Sequence, residues 1–171
     1  AVRTYEDRVF AEALGWYPLA GLLIGALLLL ADRGLTRLLP PAPEAAVLVA
    51  LLALLSGGLH LDGVADTADG LAMQGDRAAR LGVMSEGNTG PAGVMALVLV
   101  LLGQWSAIAA LPDEARPAAL LIAPVLARWT VVPVGALFAP ARPRGLGHAM
   151  QRGLWPVAAP LATVIALATA W

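Results

Sequence analysis

The sequence predicts an all-α polytopic membrane protein, a helical bundle of about five transmembrane helices with its active site on the cytoplasmic face. Three observations predict it. Mean hydropathy is +0.76 and 59% of residues are hydrophobic. Charged residues make up 13%, against roughly 25% in soluble domains. Apolar runs recur at helix length between proline-, glycine- and charge-rich stretches. Five crossings also sort the arginines unequally. Arg3, Arg8, Arg77, Arg80, Arg142, Arg144 and Arg152 fall on one side, and Arg33, Arg37 and Arg116 on the other. By the positive-inside rule, seven against three places the first side in the cytoplasm.

Residues 1–14 are polar and of mixed charge (Arg3, Glu6, Asp7, Arg8, Glu12) and read as an interfacial helix. The first span is predicted over 16–31, with Trp16 and Tyr17 as interface anchors and Asp32, Arg33 and Arg37 at its exit. Its Gly21 and Gly25 form a small-xxx-small face suited to close helix packing. Pro40, Pro41 and Pro43 force a turn and pre-set the start of a second helix, predicted over 44–68. Gly57, Gly58 and Gly63 cost that helix propensity, so they are expected to admit a neighbouring helix or a ligand closely. Residues 71–90 form a polar loop or surface helix. Pro91 suits the first position of a third span over 91–111. A tight polar turn over 112–117 leads to the fourth, over 118–139, with Arg128 near its middle and with Pro124 and Pro133. Residues 141–152 form a basic, glycine-rich loop, and 154–171 starts the fifth span. The chain stops there without a polar tail and reads as cut.

Several chemistries are excluded. There is no cysteine, hence no disulfide, zinc–thiolate site or cysteine nucleophile. All 11 basic residues are arginine, which removes Schiff-base and P-loop lysines. The net charge of −1 says nothing of partners. The first apolar run begins too late, and after too many acids, for a signal peptide. No internal repeat is visible, which weighs against an inverted-repeat transporter.

The run that organises the chain is His60-Leu-Asp-Gly-Val-Ala-Asp-Thr-Ala-Asp-Gly70. The apolar stretch 45–59 before it rises about 22 Å as a helix, short of the roughly 30 Å hydrocarbon core. A crossing is therefore expected to continue into the carboxylates and put them at the membrane boundary. At about 100° per residue, Asp66 lies about 40° ahead of Asp62 and Asp69 about 20° behind it, so all three share one face. Like charges one turn apart repel, and acids at depth cost on the order of 3 kcal/mol each on insertion scales. A cation is expected among them, and oxygen-only ligands favour a hard one such as magnesium. The plainer alternative is a solvated polar face on which Asp69 caps whatever follows.

Two further features lie on the same side. Glu86-Gly-Asn-Thr-Gly90-Pro91 enters a helix start, where free N–H groups and the helix dipole favour an anion; the glycines alone favour an ordinary turn before a span. Arg142-Pro-Arg144-Gly-Leu-Gly147-His148 is a basic loop that could clamp phosphates or serve orientation alone. Arg128 in a span calls for a carboxylate, a ligand phosphate or a route to the interface, with Glu86 or an aspartate as candidate partner. His60 could carry a proton beside the metal or be a hydrogen-bonded packing residue. Acids for a metal, a glycine loop for anions and a basic loop together suggest diphosphate chemistry at a membrane face.

His60–Gly70 resembles the signature of the cobalamin synthase (adenosylcobinamide-GDP ribazoletransferase) family. Tyr17-Pro-Leu-Ala-Gly21 with Gly25 resembles that family's first span. Arg80, Val83-Met84, Glu86, Gly90 and Gly93 fall at the spacing of its Arg-x-x-Ile-Met-x-Asp-Ser-Arg-x-Gly-x-x-Gly segment. Ala127-Arg128 resembles its Ser-Arg, and Ala141–Gly147 its Ala-Arg-x-x-Gly-Leu-Gly loop. Two departures stand out: Glu86-Gly87-Asn88 replaces Asp-Ser-Arg, and a later Gly-Asp-x-x-Gly-Ala motif is absent because the chain ends first.

The resemblance implies a membrane-bound transferase of the bacterial inner membrane. It joins adenosylcobinamide-GDP to α-ribazole or its 5′-phosphate, with release of GMP. It implies Mg2+ held by Asp62, Asp66, Asp69 and Glu86, catalysis by Asp62, Asp66 and His60, and substrate binding by Arg80, Asn88, Arg128, Arg142 and Arg144. Besides the substrates and the lipid bilayer, no nucleic acid partner is expected, and a homo-oligomer is allowed. The missing C-terminal motif implies weak turnover by the chain alone. A CDP-alcohol or polyprenyl phosphotransferase is the alternative enzyme, although the CDP-alcohol family's Asp-Gly-x-x-Ala-Arg spacing is missing. A cation transporter using the aspartates is the alternative from another class.

Overall fold

The computed structural model describes residues 13–143, 147–148 and 157–170. Among them there are helices and no strands. After a 3-10 turn at Leu14–Trp16 come α1 (Tyr17–Leu35), α2 (Pro41–Leu55), α3 (Leu59–Ala72), α4 (Arg77–Val83), α5 (Pro91–Ala109), α6 (Arg116–Trp129), α7 (Val131–Leu137) and α8 (Ala158–Ala170). Three of the described helical stretches are long and apolar enough to cross a membrane: Leu14–Leu35, Pro91–Ala109 and Arg116–Leu137. A bent pair, α2 with α3, makes a fourth if counted as one, and Ala158–Thr169 is a shorter apolar helix. Leu23, Leu30, Leu99 and Val164 are exposed on these helices, as side chains that face lipid are. The interfacial helix expected over 1–14 lies almost wholly outside the described residues.

The chain divides into two compact units, Ala1–Leu30 with Asp113–Trp171, and Ala31–Pro112. In the first, Leu14, Val132, Ala158 and Ala162 form a buried cluster flanked by Tyr17 and Trp129. The Trp129 indole donates to Thr163 Oγ1 at 3.0 Å. Gly21 and Gly25 press against the α6 backbone. A methyl group at Gly25 would lie 2.8 Å from the carbonyl oxygens of Leu120 and Leu121, and one at Gly21 would lie 2.7 Å from the Val125 Cα. The expected small-residue packing face is therefore real. Pro124 assists it, because it has no N–H to offer the Leu120 carbonyl that abuts Gly25. Pro133 likewise removes a donor to Trp129, and the helix breaks at Thr130 between α6 and α7.

In the second unit α5 packs against α2 and α3. Trp105 Nε1 donates to the Ala42 carbonyl at 2.8 Å, and Thr36 Oγ1 donates to the buried Glu44 at 3.1 Å. The second helix differs from the continuous one predicted over 44–68. It stops at Leu55, and α3 leaves at 89° to α2. Gly57 and Gly58 have φ of 63° and 70°. Gly58 N–H bonds Ala53 O and Gly57 N–H bonds Leu54 O, a Schellman closure that ends α2. The expectation that Gly57, Gly58 and Gly63 admit a neighbouring helix closely is also corrected, since a methyl group at any of them meets nothing within 4 Å of the described residues. The first two are there for their backbone angles.

Candidate functional site

The acidic motif occupies α3, so its three aspartates share a helix as the spacing requires. Their surroundings differ because α5 crosses the far end of α3. A methyl group at Gly93 would lie 3.0 Å from Ala65 O, which marks the crossing. Asp62, before it, is exposed, and Asp66 is half-buried. Asp69, beyond it, is 9% exposed.

Asp69 has a definite task. Gly90 N–H donates to Asp69 Oδ2 at 2.6 Å and Gly93 N–H to Oδ1 at 2.8 Å. Gly90 is the N-cap residue of α5 and has no side chain with which to satisfy the helix's first N–H groups. Asp69 supplies that group from another helix and sets a negative charge against the positive helix end. Such an arrangement contributes about 0.5–2 kcal/mol. The 86–91 loop was expected to present this helix start to an anion, and the anion seated there is the chain's own carboxylate.

The neighbouring residue secures the other end of the same loop. Met84, just after α4, lies over Gly70, where an added methyl group would come within 2.7 Å of the Met84 Cγ. Asp76 caps α4 through the Ala79 N–H at 2.8 Å. Between Met84 and Gly90, Glu86 and Asn88 are exposed, and Gly87 turns the chain with φ of 68°. Arg80 is exposed on α4.

Ahead of the aspartates, Ser56 Oγ lies 2.8 Å from His60 Nδ1 and 2.8 Å from Leu52 O. The hydroxyl has one hydrogen. Directed to Leu52 O, it leaves the oxygen to accept from Nδ1–H, which places the ring across the bend between α2 and α3.

The family model described as cobalamin-5-phosphate synthase matches residues 1–171. The chain belongs to this family. A relative from Pseudomonas paraeruginosa (strain DSM 24068 / PA7), named adenosylcobinamide-GDP ribazoletransferase, is 48% identical over 147 residues, which is 85% of this chain and 59% of its own length. A protein of the same name from Pseudomonas putida (strain W619) is 43% identical over 151 residues, 87% of this chain and 61% of its own. Another, from Geotalea daltonii, is 37% identical over 166 residues, 97% and 67%. The chain thus spans about three fifths of the length of the two pseudomonad relatives. No solved structure matches.

For this cobalamin-5-phosphate synthase family member, the structure brings Asp62, Asp66, Asp69, His60, Arg80, Glu86 and Asn88 into one unit. Among the described residues, no three or more His, Asp or Glu side chains converge closely enough to hold a metal ion. Arg128, half-buried in the last turn of α6, and Arg142, half-buried after α7, belong to the other unit. Arg144 lies outside the described residues. Sequence reasoning missed Glu44, a buried acid in the first turn of α2. Its position beside the positive end of a helix was the available signal.

Proposed function

We propose that the chain carries the acidic face of a membrane-bound, magnesium-dependent transferase. The enzyme joins adenosylcobinamide-GDP to α-ribazole or its 5′-phosphate and releases GMP, on the cytoplasmic side of the bacterial inner membrane. Family membership and the printed name of the relatives support this reading. The observation that carries it is the pair Asp62 and Asp66, one turn apart on α3, exposed and half-buried: the first turn of the helix favours Asp62, but among the described residues neither acid makes a capping hydrogen bond that would explain two adjacent like charges. Their oxygens fit magnesium, which is commonly bound by one or two carboxylates plus substrate phosphates and water. Asp69 fits it less well, because both its oxygens are engaged by backbone N–H groups.

Asp62 and Asp66 would hold the ion, with Glu86 as a further oxygen. The ion, when bound, neutralises charge on the diphosphate and on the departing GMP. Arg80, Asn88, Arg128, Arg142 and Arg144 are assigned to the substrates' phosphates and polar groups. The ribazole-side oxygen attacks the phosphorus next to cobinamide, and the bridging P–O bond to GMP breaks with its electrons leaving on GMP. Where the nucleophile is a hydroxyl, an aspartate or His60 takes its proton. No side chain becomes covalently modified.

The test measures GMP release from adenosylcobinamide-GDP and α-ribazole phosphate across a magnesium titration, in protein carrying this segment. Asp62→Asn and Asp66→Asn should each raise the half-saturating magnesium concentration by about 10-fold or more, because even ligand-supporting residues are worth that much. Excess magnesium should partly restore the rate. Normal release by both variants at limiting magnesium removes the reading.

A further inference from the structure

We infer that Asp69 and Gly70, the last two residues of the acidic motif, are positioning residues that grip the 85–89 segment at both ends, and that Asp69 acts through that segment and not as a metal ligand. The inference rests on the reading of Asp62 and Asp66 as the metal-binding pair.

Two independent contacts carry it. On one side the Asp69 carboxylate accepts from Gly90 and Gly93 N–H, and on the other Met84 rests on Gly70. Both anchors therefore seat on adjacent residues of a single turn of α3. The five residues between them, Ser85–Thr89, are all exposed and include a glycine with positive φ. Ser85 and Glu86 close onto the end of α4 through Ser85 N–H to Gly82 O, Glu86 N–H to Val83 O and the Ser85 hydroxyl to Leu81 O, so it is the course of Gly87–Thr89 that the ties at the two ends set. The tie leads back to the helix that carries Asp62 and Asp66, which stand seven and three residues before Asp69, about 10 and 5 Å along the axis. Glu86 and Asn88 are thereby held in register with those two acids. Gly90 and Gly93 complete the device. A methyl group at Gly90 would lie 2.6 Å from Asp69 Oδ1, and one at Gly93 would lie 3.0 Å from Asp69 Cγ.

As a metal ligand, Asp69 would turn a lone pair to the ion while its charge is already spent on a helix N-terminus. As a positioning residue it needs only the two N–H bonds it makes. The two roles part experimentally. In the cysteine-free chain, a Ser85→Cys reporter is labelled with a maleimide in detergent, with Ser106→Cys at the other end of α5 as reference. Asp69→Asn should speed labelling at position 85 several-fold and leave 106 unchanged. It should also lower kcat for GMP release and raise the half-saturating magnesium concentration no further than Glu86→Gln does, because it reaches the ion only by loosening Glu86. Gly93→Ala, which retains the carboxylate but displaces it, should give the same pattern. A rise in the magnesium requirement on Asp69→Asn, matching that of Asp62→Asn, overturns the inference, as does unchanged labelling at 85 or equal acceleration at 85 and 106. If a full-length protein carrying this segment releases no GMP, the transferase reading fails by itself, and the labelling ratio in the cysteine-free chain still decides whether Asp69 holds the segment.

Discussion

Gly25 and Gly63 both sit inside helices, and a methyl group added to each meets opposite surroundings. At Gly25 it would collide with the rigid backbone of Leu120 and Leu121, whereas at Gly63 it would enter open space. Gly25→Ala should destabilise the protein by about 1–3 kcal/mol, the usual cost of overpacking. Gly63→Ala should stabilise it by about 0.5–1 kcal/mol, because alanine loses less backbone freedom in a helix. Thermal unfolding in detergent checks both, and a lower midpoint for Gly63→Ala would mean that something fills that space. The small-xxx-small spacing made Gly25 legible in the sequence. Asp69 was legible in part: its capping role was the plainer alternative, but its burial was not, because three acids at helical spacing look equally solvated until a second helix covers one of them. The signal was there in Gly90-Pro91, a helix start whose N-cap residue has no side chain and must borrow one.

At the scale of the helix, the break between α2 and α3 shows how one composition can serve two physical ends. Gly57 and Gly58 read as costs to a continuous helix, to be explained by close packing. Their positive φ, which side chains beyond hydrogen adopt at a cost of about 1–2 kcal/mol, is the actual reason for them. Sequence shows the missing Cβ and not which of its consequences is used. The hydrophobic period did not reveal the corner, although Ser56-Gly57-Gly58 interrupts the apolar run there and is itself a turn-marking sequence. Gly57→Ala and Gly58→Ala should each cost about 1–2 kcal/mol although both sites have empty space around them. A thermal midpoint unchanged by both would show that the corner is held by other means.

For the whole molecule, the all-helical class and the apolar helices near residues 16–31, 91–111 and 118–139 were legible from hydropathy, since α1, α5 and the α6–α7 stretch fall there. The number of crossings was not, because a bend is a matter of two backbone angles. Sidedness can be tested apart from the bend. Two stretches long enough to cross, Pro91–Ala109 and Arg116–Leu137, lie between Ser85 and Ala141, an even number. Single cysteines at these two positions should both be blocked by an impermeant thiol reagent only after cells are opened. Labelling of both in intact cells would invert the orientation, and labelling of one alone would show that one of the two stretches does not cross.

The corner between α2 and α3 also bears on what the acidic row can be used for. With α2 upright in the bilayer, an 89° turn lays α3 parallel to the water surface. Asp62, Asp66 and Asp69 then sit side by side at one level, where they would be stacked along the normal had the helix run straight. A conduit passes its cargo from ligand to ligand along the direction of travel. A row laid crosswise offers no such succession, but presents Asp62 and Asp66 broadside to whatever slides along the membrane surface, with Asp69 turned into the protein.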